Sequence, residues 1–338
     1  MKKYLSIFLL AMIAIILTAC GEDDNTASKE DTTNQTDKLS IYTTVYPLQY
    51  FAERIGGEYV EVSSIYPPGA NEHTFEPTQK DMMSLADADI FFYIGLGLEG
   101  FVDNAKKTLA NEHVTLVATA DHVSEDKLHI STGHVHAEGE THEEEEGHDH
   151  EGEETNHILN DHAHDDHDSH VWLSPIISQD LAAVIKDELV TVMPEQEAVF
   201  TENYETLVTE LNALHAEFET MAAETTKKTF FVSHAAFGYI AGHYGFSQVP
   251  IAGLNSQSEP SQKELTAIVD LAKEEDIKYI FFEQNVSSNL TEVIQQEVGA
   301  DSLILHNLSV LTSDDIKNGE TYFTLMTKNM DALKTALQ

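Results

Sequence analysis

The feature that most constrains the fold is an alternation of strand-like and helix-like segments that occurs twice along the chain. In the first half, short apolar runs such as DIFFYIGLG, at residues 89–97, alternate with amphipathic segments. A continuous apolar run of this length is typical of a strand buried on both faces of a sheet. A second series begins at TFFVSH, residues 229–234, and ends in a closing helix-like segment. The two series predict two α/β lobes with mostly parallel sheets.

The stretch between the two series, residues 194–224, predicts one long helix. Pro194 suits the first helical turn, and apolar side chains then recur at steps of three and four residues. About 30 residues at 1.5 Å per residue give a rod of about 45 Å, which is long enough to cross a small lobe. We therefore predict an N-terminal lobe at 38–193, a rigid linking helix at 194–224 and a C-terminal lobe at 225–338. The expected apolar face of the helix consists of Tyr204, Leu207, Val208, Leu211, Leu214, Phe218 and Met221.

The first 37 residues predict export and attachment to a membrane. A short basic head precedes a mostly apolar run that is shorter than the ~20 residues needed to span a bilayer. The sequence Leu17-Thr18-Ala19-Cys20 follows and resembles the bacterial lipobox, in which the cysteine is lipidated and becomes the first mature residue. An uncleaved membrane anchor is the alternative. We expect a signal peptide at 1–19, a lipid on Cys20 and a flexible tether at 20–37, which has no large apolar side chain.

The charge balance limits the classes of partner. The chain has 18 Lys and Arg residues against 59 Asp and Glu residues, a formal net charge of -41. Such an acidic chain repels nucleic acid and anionic lipid headgroups and favours cations. The single cysteine excludes a disulfide within the chain and a cysteine-rich zinc finger. We therefore expect no nucleic-acid partner.

An acidic, histidine-rich segment at 122–169 interrupts the first series. Its few apolar residues cannot bury enough surface to offset the entropy of ordering it, so we predict a disordered insertion. There are 12 histidines from His122 to His170, and such tracts bind zinc, copper and nickel. A solvated loop without a ligand is the alternative. We favour a metal-capture loop whose affinity is modest, because each binding event must order a flexible chain.

Three histidines lie at the ends of predicted strands or in the turns that follow them. His73 lies just past the second strand, His170 lies where order is expected to resume, and His234 ends a strand. In open α/β sheets, ligands bind at the carboxyl ends of the strands, so imidazoles from these places can converge on one metal ion. Any one such histidine is more often structural, and the joint pattern is what predicts a metal site.

The segments around these histidines carry a resemblance to one family. They read PPGANEHTFEPTQKDMMSLADADIFFYIGLGLE, HVWLSP and FVSHAAFGYIAGHYG, and LNSQSEPS and LTSDDIKNGETYFTLMTKNMDAL follow later. Together they resemble the metal-receptor lipoproteins of bacterial ABC transporters, in particular the zinc-uptake branch of the cluster A-I solute-binding proteins. The resemblance covers residues 39–338, and the histidine-rich insertion is typical of that branch.

The resemblance implies two Rossmann-like lobes joined by the long helix, with the metal in the cleft between them. By motif, His73 and His170 come from the first lobe and His234 comes from the second. Three neutral imidazoles suit zinc, whereas manganese receptors of the wider family use more carboxylates. Some relatives place a carboxylate at the position of Ser309, which is a poor zinc ligand. The fourth ligand therefore remains open between a water molecule, Glu72 and a histidine of the insertion.

The function that the resemblance implies is zinc uptake rather than catalysis. We expect a monomeric, lipid-anchored receptor on the extracytoplasmic face of the cell membrane, which delivers Zn²⁺ to an ABC permease driven by a cytoplasmic ATPase. One alternative is a lipid-anchored zinc buffer or adhesin without a permease. Another is a zinc hydrolase, although the chain has no HExxH sequence. Other candidate ligands are interpreted as structural or surface residues: Glu76, Glu259, Glu283, His215 and His243. His306 lies near the cleft segment and is left out of the ligand set.

Overall fold

The computed structural model describes residues 38–131, 167–254, 260–284 and 288–338. The predicted signal peptide, the lipidation site Cys20 and the tether lie outside these ranges, so they remain predictions. Within the described ranges, none of the helices combines the length and the apolar character that a membrane crossing requires.

In its described residues, the first lobe contains one parallel sheet and five α-helices. Its strands are β1 (Leu39–Thr43), β2 (Val60–Ser64), β3 (Ile90–Tyr93) and β4 (Thr115–Ala118). Its helices are α1 (Tyr46–Gly56), α2 (Gln79–Ala86), α3 (Val102–Thr108), α4 (Glu125–Leu128) and α5 (Pro175–Val192). The strand order is β2-β1-β3-β4, and all pairs are parallel. All four residues of β3 are buried, as its continuous apolar run predicts.

The second lobe repeats this plan. Its strands are β5 (Thr229–His234), β6 (Ser247–Ala252), β7 (Tyr279–Phe282) and β8 (Asp301–Ile304), in the parallel order β6-β5-β7-β8. The single helix α6 (Glu197–Glu224) precedes β5 and follows a 3₁₀ turn at Pro194–Gln196. The remaining helices are α7 (Gly238–Tyr244), α8 (Gln262–Glu274), α9 (Asn289–Val298), α10 (Ser313–Asn318) and α11 (Tyr322–Ala336). The predicted fold class, two parallel α/β lobes with one long helix, is confirmed.

Local sequence signals set the ends of several helices. A capping box, in which the N-cap side chain and the third helical residue bond to each other's backbone N–H groups, begins α2, α8, α10 and α11. Their N-cap residues are Thr78, Ser261, Thr312 and Thr321. The predicted apolar face of α6 is buried at Leu207, Leu211, Leu214, Phe218 and Met221, whereas Tyr204 and Val208 are half-buried.

A large hydrophobic core extends through both lobes, and a smaller core lies inside the second lobe. Strand β5 contributes to both, because successive side chains of a strand point to opposite faces of the sheet. Phe230 and Val232 belong to the large core, and Phe231 belongs to the small one. The first lobe and one face of the second sheet therefore share a continuous packed interior.

The C-terminal helix α11 packs against the first lobe, although the predicted boundary at 225–338 placed it in the second. The ring of Tyr322 lies 5.1 Å from the ring of Phe51, measured between centroids. Its hydroxyl group donates a hydrogen bond to the backbone oxygen of Trp172 at 3.0 Å. The chain thus returns to the first lobe after completing the second sheet, a long-range contact that helix periodicity does not report.

The insertion predicted at 122–169 is ordered at both of its ends, where the prediction is wrong. Helix α4 lies near its beginning. Asp168 lies near its end and is buried, because it accepts hydrogen bonds from Ser131 and His170. The prediction of disorder relied on polar composition, which does not report such buried partners. Residues 132–166, which include most histidines of the insertion, lie outside the described residues.

Candidate metal centre

Four side chains that can bind a metal converge between the two lobes. They belong to Glu72, His73, His170 and His234, and one ligand atom from each lies within 4.8 Å of the others. The side chains of His170 and His234 are fully buried. Their Nε2 atoms are 3.4 Å apart. Two ligands of a tetrahedral zinc ion with Zn–N distances of about 2.0–2.1 Å are separated by about 3.3 Å, so this spacing suits such an ion. The structure thus brings together the three histidines predicted from the sequence.

A turn beyond β2 carries Glu72 and His73. Gly69 has a φ of 76°, a left-handed conformation that favours glycine. The side-chain oxygen of Asn71 then accepts a hydrogen bond from the backbone N–H of His73 at 3.0 Å. An asparagine that bonds to the backbone two residues later is a common turn device. This turn fixes the backbone from which both side chains extend.

Asp168 positions the imidazole of His170. Its Oδ1 atom accepts a hydrogen bond from the backbone N–H of His170 at 2.9 Å and lies 2.8 Å from the imidazole Nδ1. When Nδ1 carries the proton of this bond, the lone pair of Nε2 is available for a metal. Two residues later, the buried indole of Trp172 donates from Nε1 to the backbone oxygen of Asn307 at 2.7 Å. That bond anchors the His170 segment of the first lobe to a loop of the second lobe.

Glu283 positions the imidazole of His234 in the same way. His234 is the last residue of β5, and Glu283 directly follows the neighbouring strand β7. The Oε1 atom of Glu283 lies 2.6 Å from Nδ1 of His234 and accepts a hydrogen bond from Ser233 Oγ at 2.6 Å. Two histidines from different lobes thus each have a carboxylate on Nδ1 and direct Nε2 to the shared centre.

Helix α7 of the second lobe also supports Asp168. The hydroxyl of Tyr239 donates to the backbone oxygen of Asp168 at 2.7 Å. A Cβ atom at Gly238 would lie 2.7 Å from Oδ2 of Asp168 and 2.1 Å from Oγ of Ser131. Only glycine therefore lets the helix approach this closely.

Burial and neighbouring charges set the protonation of the site. Burial, together with the positive charge that His170 and His234 can carry, lowers the pKa of His73 to about 3. Burial also disfavours the charged form of His234, but the carboxylate of Glu283 outweighs it and raises the pKa of His234. Burial alone would raise the pKa of Asp168 and of Glu283. Their histidine partners outweigh it and hold the pKa of each carboxyl below its usual range.

Two buried atoms of the cluster have no hydrogen-bond partner among the described residues. They are Oε2 of Glu72 and Nε2 of His73. A buried polar atom without a partner costs about 1–3 kcal/mol, so such atoms usually have a role. A metal ion at the centre would satisfy both. The donor set, three imidazole nitrogens and one carboxylate oxygen, fits zinc.

The family resemblance matches Ser309 with a carboxylate of some relatives, and in this structure its hydroxyl group and backbone N–H both bond to Asn307. Ser309 Oγ donates to Asn307 Oδ1 at 2.9 Å. The amide nitrogen Nδ2 of Asn307 in turn donates to Glu72 at 3.1 Å and to Glu283 at 3.0 Å. Asn307 therefore joins the Glu72 carboxylate of the first lobe to the histidine support of the second.

The other histidines considered from the sequence have partners away from the centre. Nδ1 of His215 lies 3.0 Å from the hydroxyl of Tyr244. Nδ1 of His243 lies 3.1 Å from a backbone oxygen, and Nε2 of His306 lies 3.2 Å from Asp315. Of the acids, Glu76 is exposed and Glu259 lies outside the described residues.

Sequence reasoning missed two residues of the site. The composition of residues 122–169 predicts disorder for Asp168, and no sequence motif marks Asn307 as part of the site. The only local signal for Asp168 is its position two residues before His170. Glu283 was interpreted as a structural or surface acid, and the structure makes it the buried partner of His234.

A comparison with known protein families also points to zinc, the metal that the donor set of this cluster fits. Residues 41–336 match the model of the family described as ZnuA, zinc-uptake complex component A, periplasmic. The chain belongs to this family. The resemblance found from the sequence is therefore confirmed.

Two relatives show how far the similarity to the ZnuA family extends. The high-affinity zinc uptake system protein ZnuA of Bacillus subtilis (strain 168) is 33% identical over 336 residues, covering 99% of this chain and 98% of that protein. The zinc-binding lipoprotein AdcA of Streptococcus pneumoniae serotype 4 is 33% identical over 335 residues, covering 99% of this chain and 61% of that protein. Both are named for zinc uptake or zinc binding rather than for an enzymatic activity.

A solved structure supports the same assignment to the ZnuA family. The crystal structure of the Zn(II)-bound ZnuA-like domain of Streptococcus pneumoniae AdcA superimposes with a TM-score of 0.67 at 30% identity. The match covers 89% of this chain and 99% of that domain. The predicted α/β architecture is thus that of a solved zinc-bound relative.

Proposed function

We propose that the protein is an extracytoplasmic zinc receptor that binds Zn²⁺ between its lobes and delivers it to an ABC-type permease. The observation that carries this proposal is the convergence of three imidazoles and one carboxylate on a single buried centre. Zinc is the transported ligand here, not a resident cofactor. The names of the two relatives, a zinc uptake system protein and a zinc-binding lipoprotein, agree with that role.

The ligands of this proposal are Nε2 of His73, His170 and His234 and one oxygen of Glu72. Among the three candidates for the fourth ligand, Oε2 of Glu72 favours this carboxylate over water, because it is buried and has no hydrogen-bond partner within the described ranges. A histidine of the insertion would have to replace a group that is already present within 4.8 Å of the others. Three nitrogen donors and one oxygen suit zinc better than manganese, which prefers oxygen ligands.

The burial of the site favours a receptor over a hydrolase. A catalytic zinc keeps a position open to water and substrate, with a general base beside it. The imidazoles of His170 and His234 are fully buried, and the side chain of Glu72 is 1% exposed. The side chain of His73 is 8% exposed, so an ion held by these four groups has little access to solvent and would be released by movement of the lobes, which suits hand-over to another protein.

Attachment and partners complete the proposal. We place the receptor on the extracytoplasmic face of the cell membrane, held as a monomer by a lipid on Cys20. The partners are a permease and its cytoplasmic ATPase. The relatives' descriptions as a periplasmic component and a lipoprotein support this location.

Growth in zinc-depleted medium tests the function. A strain lacking the gene should grow poorly there and recover when zinc is added. The wild-type gene should restore growth, and so should His113→Ala, a matched control because His113 is an exposed histidine away from the centre. His234→Ala should fail to restore growth at the same protein level. Full growth of the deletion strain under zinc limitation would contradict the uptake role and favour a buffer or an adhesin.

A further inference from the structure

Both polar atoms of the Asn307 side chain form hydrogen bonds. Its Nδ2 atom donates to Oε1 of Glu72 at 3.1 Å and to Oε2 of Glu283 at 3.0 Å, which uses both amide hydrogens. Its Oδ1 atom accepts from the backbone N–H of Ser309 at 3.0 Å, from Ser309 Oγ at 2.9 Å and from Gln284 Nε2 at 3.2 Å. The residue is fully buried.

These contacts fix which way the amide points. A flipped amide would direct its oxygen at the carboxylates of Glu72 and Glu283 and its nitrogen at three hydrogen-bond donors. The contacts with the two carboxylates and with the backbone N–H of Ser309 would be repulsive, and these three contacts fix the assignment of the amide oxygen and nitrogen. The N–H groups of Asn307 therefore face the two carboxylates.

The consequence for Glu72 is that its two oxygens are not equivalent. Oε1 is bonded to Asn307, whereas Oε2 is buried without a hydrogen-bond partner among the described residues. The hydrogen bond from Asn307 occupies one lone pair of Oε1 and fixes the orientation of the carboxylate, whereas Oε2 keeps both of its lone pairs for a metal. With three imidazoles, the site then supplies four donor atoms, the number that zinc prefers.

We infer that Asn307 is a positioning residue that keeps Glu72 a one-oxygen ligand and thereby favours Zn²⁺ over Mn²⁺. The inference rests on the proposed function, with Glu72 as the fourth ligand. Without the amide, Glu72 can rotate and bind through both oxygens. The extra oxygen donor suits larger, six-coordinate ions that prefer carboxylates, such as Mn²⁺.

The effect of Asn307 on the choice between Zn²⁺ and Mn²⁺ also depends on contact between the two lobes. Glu72 belongs to the first lobe, and Glu283 and Asn307 belong to the second. The bond from Trp172 of the first lobe to the backbone oxygen of Asn307, at 2.7 Å, holds the loop in place. Asn307 can therefore hold Oε1 of Glu72 only when the two lobes are in contact.

The test compares Asn307→Ala and Asn307→Ser with the wild-type protein. Neither side chain reaches Glu72, and the serine variant keeps the pocket polar should the alanine variant fold poorly. Competition between Zn²⁺ and Mn²⁺ gives the affinity ratio, and Co²⁺ in place of zinc gives a visible absorption spectrum that is intense for four ligands and weak for six. Changes to the hydrogen-bond partners of metal ligands typically cost about 10–100-fold in affinity. We expect a loss of that size for zinc, a smaller loss for manganese and a weaker Co²⁺ absorption.

A matched control is Asn329→Ser. Asn329 is also a buried amide, but it bonds to the backbone N–H and oxygen of His306, each at 2.7 Å, instead of to Glu72. It should change stability without changing the metal ratio or the Co²⁺ spectrum.

Glu72→Gln separates this inference from the proposed function. If Glu72→Gln alters zinc affinity and the Co²⁺ spectrum but the Asn307 variants leave both the metal ratio and the spectrum as in wild type, the role of Asn307 is wrong. If Glu72→Gln changes neither quantity, Glu72 is not the fourth ligand, and the proposed ligand set fails first.

Discussion

The two lobes share one strand order but bring their metal-binding side chains to the cleft in different ways. In the second lobe, His234 ends β5 and Glu283 follows β7, so ligand and support lie at the carboxyl edge of one sheet. In the first lobe, His73 lies in a turn beyond β2, and His170 lies where the chain returns after residues 132–166. The first lobe therefore relies on loops where the second relies on its sheet.

This difference shows what each half needs in order to hold its ligands. Strand pairing alone places His234 next to Glu283. The loops of the first lobe need local hydrogen bonds, from Asn71 in one case and Asp168 in the other. Asp168 in turn depends on contacts with α7 of the second lobe. Substitutions in the two lobes should therefore differ in how strongly they reduce zinc binding and in the contacts through which they do so.

The largest effect should come from His234→Ala, because His234 is the only ligand that we assign to the second lobe. Zinc affinity should fall by more than the roughly 10–100-fold typical of a change to a ligand's hydrogen-bond partner. The rise in melting temperature at a fixed zinc concentration should shrink with it, since that rise depends on the concentration relative to Kd. Calorimetry and thermal unfolding measure both. If His234→Ala bound zinc as tightly as the wild type, the second lobe would supply no ligand to the site.

Substitution of the two carboxylates that orient the histidines, Glu283 and Asp168, should reduce zinc affinity by a smaller factor. The loss should be greater for Glu283, in the second lobe, than for Asp168, in the first. In Glu283→Gln, the new amide NH₂ would face the N–H of Asn307, a contact between two donors. In Asp168→Asn, the NH₂ would face Ser131 Oγ, which can accept instead of donating. We expect a loss of zinc affinity of about 10–100-fold for Glu283→Gln and less for Asp168→Asn. Zinc titrations of both variants decide the order, and a greater loss in Asp168→Asn would contradict this comparison.

The lobes should also differ in how they respond to pH. The raised pKa of His234 means that the metal-free protein keeps a proton there up to a higher pH, and zinc must displace it. Zinc affinity should therefore fall as the pH decreases through the pKa of His234. His73 has a pKa of about 3 and stays neutral over that range.

Calorimetry in buffers of different ionisation enthalpy counts the protons released on zinc binding. Glu283→Gln removes the charge that raises the pKa of His234, so proton release near neutral pH should decrease and the affinity loss should move to lower pH. A proton count identical to that of the wild type would show that Glu283 does not control this titration.

The smallest effect on the tight site should come from deleting residues 132–164. Ser131 is retained, because its hydroxyl donates to Asp168 at 2.5 Å. We expect one high-affinity zinc ion per molecule to remain while weaker sites disappear, because the four side chains of the cluster lie outside the deleted residues. Titration before and after the deletion measures both classes. If the deletion abolished the high-affinity site, the metal would be bound by the insertion and not by the four-residue cluster.

Much of the fold could be predicted from the sequence, because buried parallel strands and amphipathic helices have distinct periodicities. His73 and His234 could be predicted because they lie in the turn after a strand and at a strand end, and His170 because the pattern of an ordered segment resumes there. Asp168 could not, since its burial depends on Ser131, a residue 37 positions earlier. The orientation of the Glu72 carboxylate depends on a hydrogen bond from Asn307, which is 235 positions away. Such partners are set by the packing of the lobes, which local composition does not report.

A crystal structure of the zinc-loaded protein, with the metal identified by anomalous scattering, tests the central claim most directly. We predict one zinc ion about 2.0–2.2 Å from Nε2 of His73, His170 and His234 and from one oxygen of Glu72. The second oxygen of Glu72 should remain bonded to Asn307. An ion held by histidines of residues 132–166, with the four side chains of the cluster unligated, would contradict the account.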